Sequence, residues 1–269
     1  MTGRPTINPS VAGVAAPPIP AARGWANAYE GALGPVIDLT QAVPGYPPHP
    51  TVVDHLVAAA RDPETLAYGH ITGDLALREA FATETNRIYG GAVTADEVAI
   101  TAGANLASFA VTMALAGPGD AIMLPVPWYF NHQMNAGLIG VDVVPLPCRA
   151  EAGFVPDPDE AERLIDPRVR AIMLVSPNNP TGAVYPPDLI ARFADLCRRR
   201  GLVLVVDETY RDFRPTGQGR PHELFAEGAW QDHVVQLYSF SKAYCVPGYR
   251  AGAVVAGEGF LAELTKVLE

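Results

Sequence analysis

From about residue 97 onward, short apolar runs alternate with stretches of helical spacing, and this alternation constrains the fold more than any other feature of the chain. "EVAIT" is followed by "NLASFAVTMALAG", whose apolar residues recur on one helical face, and then by the turn "GPGD". "AIMLP", "VDVVPLP", "RAIMLVS", "LVLVVDE" and "HVVQLYSF" read as further buried strands, with "RAGAVVAG" as the last. Between two of them, "PDLIARFADLCRRRG" reads as a helix with proline near its start and Gly201 past its end. Strands joined through helices run parallel, because the crossover returns the chain to the same edge of the sheet. The expected fold is therefore α/β, a mostly parallel central sheet flanked by helices.

The totals narrow the partners. The chain has 269 residues, 49% hydrophobic and 18% charged, enough for a sizeable core and far from a disordered composition. A formal charge of −10 opposes a general nucleic-acid or anionic-membrane binder, which needs a basic face. A small-molecule partner fits better. Cys148, Cys197 and Cys245 are odd in number and widely spaced, which argues against a disulfide framework or a zinc site and for a reducing cytoplasm. No stretch reaches the roughly 18 apolar residues of a membrane span. The proline-broken opening, "MTGRPTINPSVAGVAAPPIP", lacks the core of a signal peptide and reads as a flexible arm.

In open α/β sheets ligands bind at the carboxyl ends of the strands. Five polar clusters fall there. "TAGAN" opens a helix directly after a strand, so the N–H groups of Gly103, Ala104 and Asn105 are placed to hold a phosphate. "PVPWYFNH" brings Trp128, Tyr129, Phe130 and His132 to the next strand end, and "SPNNPTG" brings Asn178 and Asn179. In "VVDETYRDF", Asp207 ends an apolar run, and a carboxylate there is costly unless paired. "SFSKAYCVPGYR" sets Lys242 between Ser239, Ser241 and, eight places on, Arg250. Each cluster taken singly has an ordinary explanation as a turn, a core aromatic or a solvated lysine.

Taken in order and spacing, "YGHITGDLALRE", "TAGAN", "WYFNH", "NNPTG", "DETY" and "SFSKAYCVPGYR" resemble the class I/II aminotransferases, the aspartate aminotransferase family of fold type I pyridoxal-phosphate (PLP) enzymes. The resemblance runs from about "IDLTQAVPGYPP" to the end. It implies the large PLP-binding domain over residues 46–269, preceded by an arm and the start of a small domain over 1–45, with the C-terminal small domain missing. It implies that Lys242 carries pyridoxal 5'-phosphate as a Schiff base and serves as general base, since an amine gives an imine that an incoming amino acid can displace. Asp207 would pair with the pyridine nitrogen, His132 would orient Asp207, and Tyr129 would stack on the ring. Tyr210 and Asn179 would bond the phenolic oxygen. Gly103, Ala104, Asn105, Ser239, Ser241 and Arg250 would hold the phosphate, arginine's planar fork suiting that anion. Tyr68, in "LAYGHITG", would reach the phosphate of a neighbouring subunit, which implies a homodimer with shared sites.

Two departures from the family pattern stand out. Ala42 in "QAVPG" occupies the place of a usual glycine near the substrate carboxylate, and no arginine follows Arg250 to grip that carboxylate. The function implied is transfer of an amino group from an L-amino acid to a 2-oxo acid. A PLP-dependent β-lyase and a non-catalytic PLP-binding module are the alternatives, because the residues around the ring prepare a carbanion without choosing its fate.

Overall fold

A computed structural model describes residues 6–269 of the chain. Its centre is a seven-stranded sheet in the order β1-β7-β6-β5-β4-β2-β3. The strands are β1 (Val98–Thr101), β2 (Ala121–Val126), β3 (Asp142–Pro147), β4 (Val169–Val175), β5 (Val203–Asp207), β6 (Val234–Ser239) and β7 (Gly252–Val255). The pairs from β3 through β6 are parallel, and β7 runs antiparallel to both β6 and β1. The carboxyl ends of the other six strands therefore share one edge of the sheet.

Ten helices accompany it among the described residues. They are α1 (Pro9–Gly13), α2 (Pro18–Ala28), α3 (Pro50–Arg61), α4 (Leu75–Tyr89), α5 (Ala104–Leu115), α6 (Phe130–Leu138), α7 (Pro158–Leu164), α8 (Pro187–Arg200), α9 (Phe240–Ala243) and α10 (Glu258–Leu268). One face of the sheet packs against α4, α7 and α8 through residues such as Tyr89, Ala161 and Phe193. The other packs against α5, α6 and α10 through Val111, Ala136 and Leu264. Leu204, Val205 and Leu237 are wholly buried, and each such side chain contributes roughly 1.5–3 kcal/mol by leaving water. Covering on both faces explains why these strands read as unbroken apolar runs rather than alternating ones. Gly201 ends α8 in the left-handed region at φ +67°, as its place after the last helical residue led one to expect.

Two readings from the sequence are corrected here. "VDVVPLP" was expected to be a buried strand, yet β3 lies at the sheet edge, with Asp142, Pro145 and Pro147 exposed and only Leu146 buried. Proline has no N–H to give a second neighbour, so an edge suits a strand that carries two of them. The opening segment, expected to be a flexible arm, contains α1 and α2. Its prolines start these helices instead of breaking them: Pro9 and Pro18 stand at the first helical position, where a missing N–H costs nothing. Asn8 caps α1 by accepting from Ser10 N at 3.0 Å. Residues 1–5 of that segment lie outside the described residues.

No residue between 6 and 71 is buried, although Leu33, Ile37, Leu39 and Tyr68 are among them. The sheet and its two helix layers therefore hold the core without help from this segment.

Candidate active site

The carboxyl ends of β4, β5 and β6 and the turns after β1 and β2 border one cavity of about 730 Å³. Asp207, the last residue of β5, lies beside Val175 of β4 and Leu237 of β6 and is only 3% exposed. Its Oδ1 accepts from Thr209 N at 2.9 Å, and its Oδ2 lies 3.0 Å from Nε2 of His132, itself 2% exposed on α6. A buried carboxylate is tolerable only with such partners. They also fix which way it points, into the cavity that both residues line.

Lys242 enters from the neighbouring strand. β6 ends at Ser239, and the single turn of α9 swings the half-buried lysine back over the cavity, where Nζ donates to the carbonyl oxygen of Ala42. Burial lowers the lysine's pKa from its ordinary value, and the Arg250 guanidinium lowers it further. A larger share of neutral amine follows at any pH near neutrality.

Tyr210 and Tyr129 complete the polar wall. The Tyr210 ring centroid is 6.0 Å from Lys242 Nζ. Its hydroxyl is pushed up to about 12, chiefly by burial and then by Tyr129 and Asp207, so it stays protonated and able to donate. Tyr129 is also raised by burial and by Asp207, and its hydroxyl accepts from Asn131 Nδ2 at 2.7 Å. Its ring meets the His132 ring edge to face, with centroids 5.2 Å apart. Trp128 does not line the cavity; it packs against the α5–α6 layer. In the turn after β4, Asn179 reaches the cavity, whereas Asn178 is buried and accepts from Thr181 N at 3.1 Å and Thr181 Oγ1 at 2.8 Å.

The turn from β1 into α5 forms an anion cradle. Gly103 precedes α5 at φ +87° with no side-chain cap, leaving the first N–H groups of a twelve-residue helix unclaimed by its own cap. Arg250, also left-handed at φ +54°, lays its guanidinium against this glycine, so that a Cβ on Gly103 would collide with Nη2. Ser239 Oγ accepts from Ser241 N at 3.2 Å, and Ser241 Oγ is buried with no partner. An orphaned hydroxyl, open helix N–H groups and a guanidinium around one hollow match the oxygens of a phosphate. The residues present thus fit PLP: a phosphate at α5, a carboxylate for the ring nitrogen at β5 and an amine for the aldehyde at α9. Gly103→Ala is expected to weaken phosphate-dependent PLP binding at least tenfold, because it sets a methyl into the guanidinium's place and strains the backbone by about 1–3 kcal/mol. Titration with PLP against pyridoxal, which lacks the phosphate, checks this.

Ala104, Asn105, Tyr129, His132, Asn179, Asp207, Tyr210, Ser239, Ser241, Lys242 and Arg250 all border the cavity, with Gly103 just behind its wall. Tyr68 does not; it is fully exposed. Sequence reasoning missed Pro18, Ile19 and Ala22 of α2 and Leu39 to Gln41, which close the cavity's outer side. They carry no chemical signature, so only the path of the chain could find them.

Fold and cavity together define an α/β domain with a buried acid, a depressed-pKa lysine and an anion cradle at the carboxyl edge of its sheet. The family "Aminotransferase class I and II" matches residues 34–269, and the chain belongs to that PLP-dependent family. Its relatives include an arginine–pyruvate transaminase of Pseudomonas aeruginosa, 36% identical over 73% of this chain and 50% of the relative. An aspartate/prephenate aminotransferase of Thermus thermophilus is 34% identical over 80% of this chain and 56% of that protein. Among solved structures, aspartate aminotransferase from Thermus thermophilus with maleate superposes at a TM-score of 0.86 with 27% identity, covering 98% of this chain and 68% of that one. The chain spans about half the length of the curated relatives it matches. No helix among the described residues is long and apolar enough to cross a membrane.

Proposed function

We propose that the protein is a PLP-dependent aminotransferase that moves an amino group from an L-amino acid to a 2-oxo acid through Lys242. The observation that carries this reading is the approach of Lys242 and Asp207 to one cavity from adjacent strands, with the lysine's pKa lowered and the acid buried. The names of the relatives, which pair amino acids with oxo acids, support it.

When bound, PLP supplies an aldehyde for the amine and a ring that accepts the electrons released at the substrate's α-carbon. Lys242 Nζ would hold the aldehyde carbon and, as a partly neutral amine, would take the α-carbon proton as general base. Burial and Arg250 suit it to that step by raising its neutral fraction. Asp207 would hold a proton on the ring nitrogen by its charge, and His132, 3.0 Å from its Oδ2, keeps its carboxylate oriented. Tyr210 and Asn179 would bond the phenolic oxygen, and Tyr129 would lie against the ring. Ser239, Ser241, Arg250 and the N–H groups at Gly103 to Asn105 would anchor the phosphate, and Ala42, also on the cavity wall, would border the substrate.

The exposed apolar residues between 6 and 71 support a homodimer in which this segment is covered and Tyr68 reaches the partner's site. Free Cys148, Cys197 and Cys245 support a reducing, cytoplasmic setting.

The test is a PLP titration followed by borohydride reduction and peptide mapping, then incubation with paired amino and oxo acids. The expected outcome is a single modified peptide containing Lys242 and stoichiometric exchange of amino groups. Modification elsewhere ends the proposal, and release of ammonia and pyruvate from a β-substituted amino acid, without exchange, replaces transfer by β-elimination.

A further inference from the structure

The segment "DETYR" divides its residues between the two faces of the sheet, Asp207, Thr209 and Tyr210 on the cavity side and Glu208 and Arg211 behind it. Asp207 follows Val205 toward the α5–α6 layer, and Glu208 follows Leu204 and Val206 toward the layer of Tyr89 and Phe225. Glu208 is 1% exposed and takes no part in the cavity. Its Oε2 accepts from Tyr89 Oη at 2.6 Å and from Gln236 Nε2, with His222 Nε2 at 3.3 Å. His222 stacks on Tyr89 with centroids 4.4 Å apart, and Gln236 also donates to Tyr89 Oη at 2.9 Å.

Three residues on, Arg211 is buried with Nε and Nη1 lacking hydrogen-bond acceptors. Its guanidinium instead lies 4.0 Å from the Tyr238 ring centroid and 5.2 Å from that of Phe81. Tyr238 Oη donates to Asp212 at 2.7 Å. Gln236 and Tyr238 both belong to β6, the strand that delivers Ser239 and Lys242. Thus the turn that carries Asp207 and Tyr210 is fastened from behind, at two points, to the strand that leads to Lys242. Buried carboxylates and guanidinia are costly to keep. A merely apolar contact would fill the same space without direction, whereas a hydrogen-bonded carboxylate and a ring-stacked guanidinium at the two ends of a four-residue turn hold it in one place.

We propose that Glu208 and Arg211 are positioning residues, which clamp the Asp207–Tyr210 turn to β6 from the side of the sheet away from the cavity and so set where Asp207 and Tyr210 stand relative to Lys242. The proposal rests on the reading of the cavity as a PLP site. A shift of this turn changes how Tyr210 meets the phenolic oxygen and how Asp207 meets the ring nitrogen. Both contacts govern the proton affinity of the group formed at Lys242.

The test uses the full chain loaded with PLP and reads two quantities, the midpoint of its pH-dependent visible absorbance and its PLP dissociation constant. Tyr89→Phe removes one donor to Glu208 without changing charge, and is expected to move the midpoint by about 0.3 pH units or more and weaken PLP about threefold. Glu208→Gln is expected to do more, about tenfold in affinity. Arg211→Met should behave likewise, with Arg211→Lys recovering part of the loss. A role in stability alone would lower the melting temperature and leave midpoint and affinity unmoved. That result, in folded Tyr89→Phe and Glu208→Gln, overturns the proposal. If Glu208→Gln does not fold, Tyr89→Phe decides by itself. Failure of the unaltered chain to take up PLP overturns the site reading and this proposal with it, whereas uptake by that chain with unmoved variants overturns this proposal alone.

Discussion

Lys242→Ala is expected to abolish borohydride-stable attachment of PLP and to lower the rate of the amino-acid half-reaction by at least about 10²–10⁴, the span that a positioned general base contributes. Rapid-mixing absorbance with a saturating amino acid measures the loss. Stability should change little, because Lys242 is half-buried and its amine holds only the Ala42 carbonyl. That separation matters: a drop in rate with an unchanged melting temperature places the effect in the chemistry. Lys242→Arg should fail equally, since a guanidinium remains charged where the step requires a neutral nitrogen. A small external amine should restore part of the rate in Lys242→Ala by taking the proton in the vacated space. The direction of the lysine's pKa supports all three outcomes, as burial first and Arg250 second favour the uncharged amine.

Asp207→Asn is the second large effect. It keeps the shape of the side chain and removes the charge that would hold a proton on the ring nitrogen. A hydrogen bond to a charged group is worth about 1.5–3 kcal/mol, so the half-reaction should slow by roughly ten- to a hundredfold. The visible spectrum should shift as the ring nitrogen loses its proton. Asp207→Ala adds a structural loss: His132 Nε2 and Thr209 N both lose their buried partner. An unsatisfied buried group costs about 1–3 kcal/mol. At about 2–4 °C per kcal/mol for a chain near this size, calorimetry should separate the two variants. Equal rates in Asp207→Asn and the unaltered chain would show that this carboxylate does not serve the ring.

Much of the architecture was open to reading in the sequence. β2, β4, β5 and β6 are mostly apolar and almost wholly buried, because a strand covered on both faces has no solvent side to mark with polar residues. β3 was misjudged for the same reason inverted: its valines look central, but its prolines and Asp142 belong to an edge. The opening prolines were ambiguous, since proline both breaks a helix and begins one.

The candidate site divides along similar lines. Lys242, Asp207, Tyr210 and the "TAGAN" turn could be picked out because each is a polar or small-residue exception at the end of an apolar strand. The paired choices within clusters came from the family resemblance, not from the residue types. Asn179 rather than Asn178, and Tyr129 rather than Trp128, border the cavity, as that resemblance implied. The α2 wall and the Glu208–Arg211 clamp were invisible for a related reason: Ile19 and Ala22 are ordinary apolar residues, and Glu208 looks like any acid beside Asp207.

By itself, the sequence determined an α/β sheet and the strand ends at which chemistry stands, because apolar periodicity and chain direction are local properties. Only the tertiary structure decided which side chains share a hollow, which carboxylate faces it and which turns its back. Those outcomes depend on residues such as Tyr89, which meets Glu208 and Gln236 across 119 and 147 positions of chain. No local pattern carries a contact of that range.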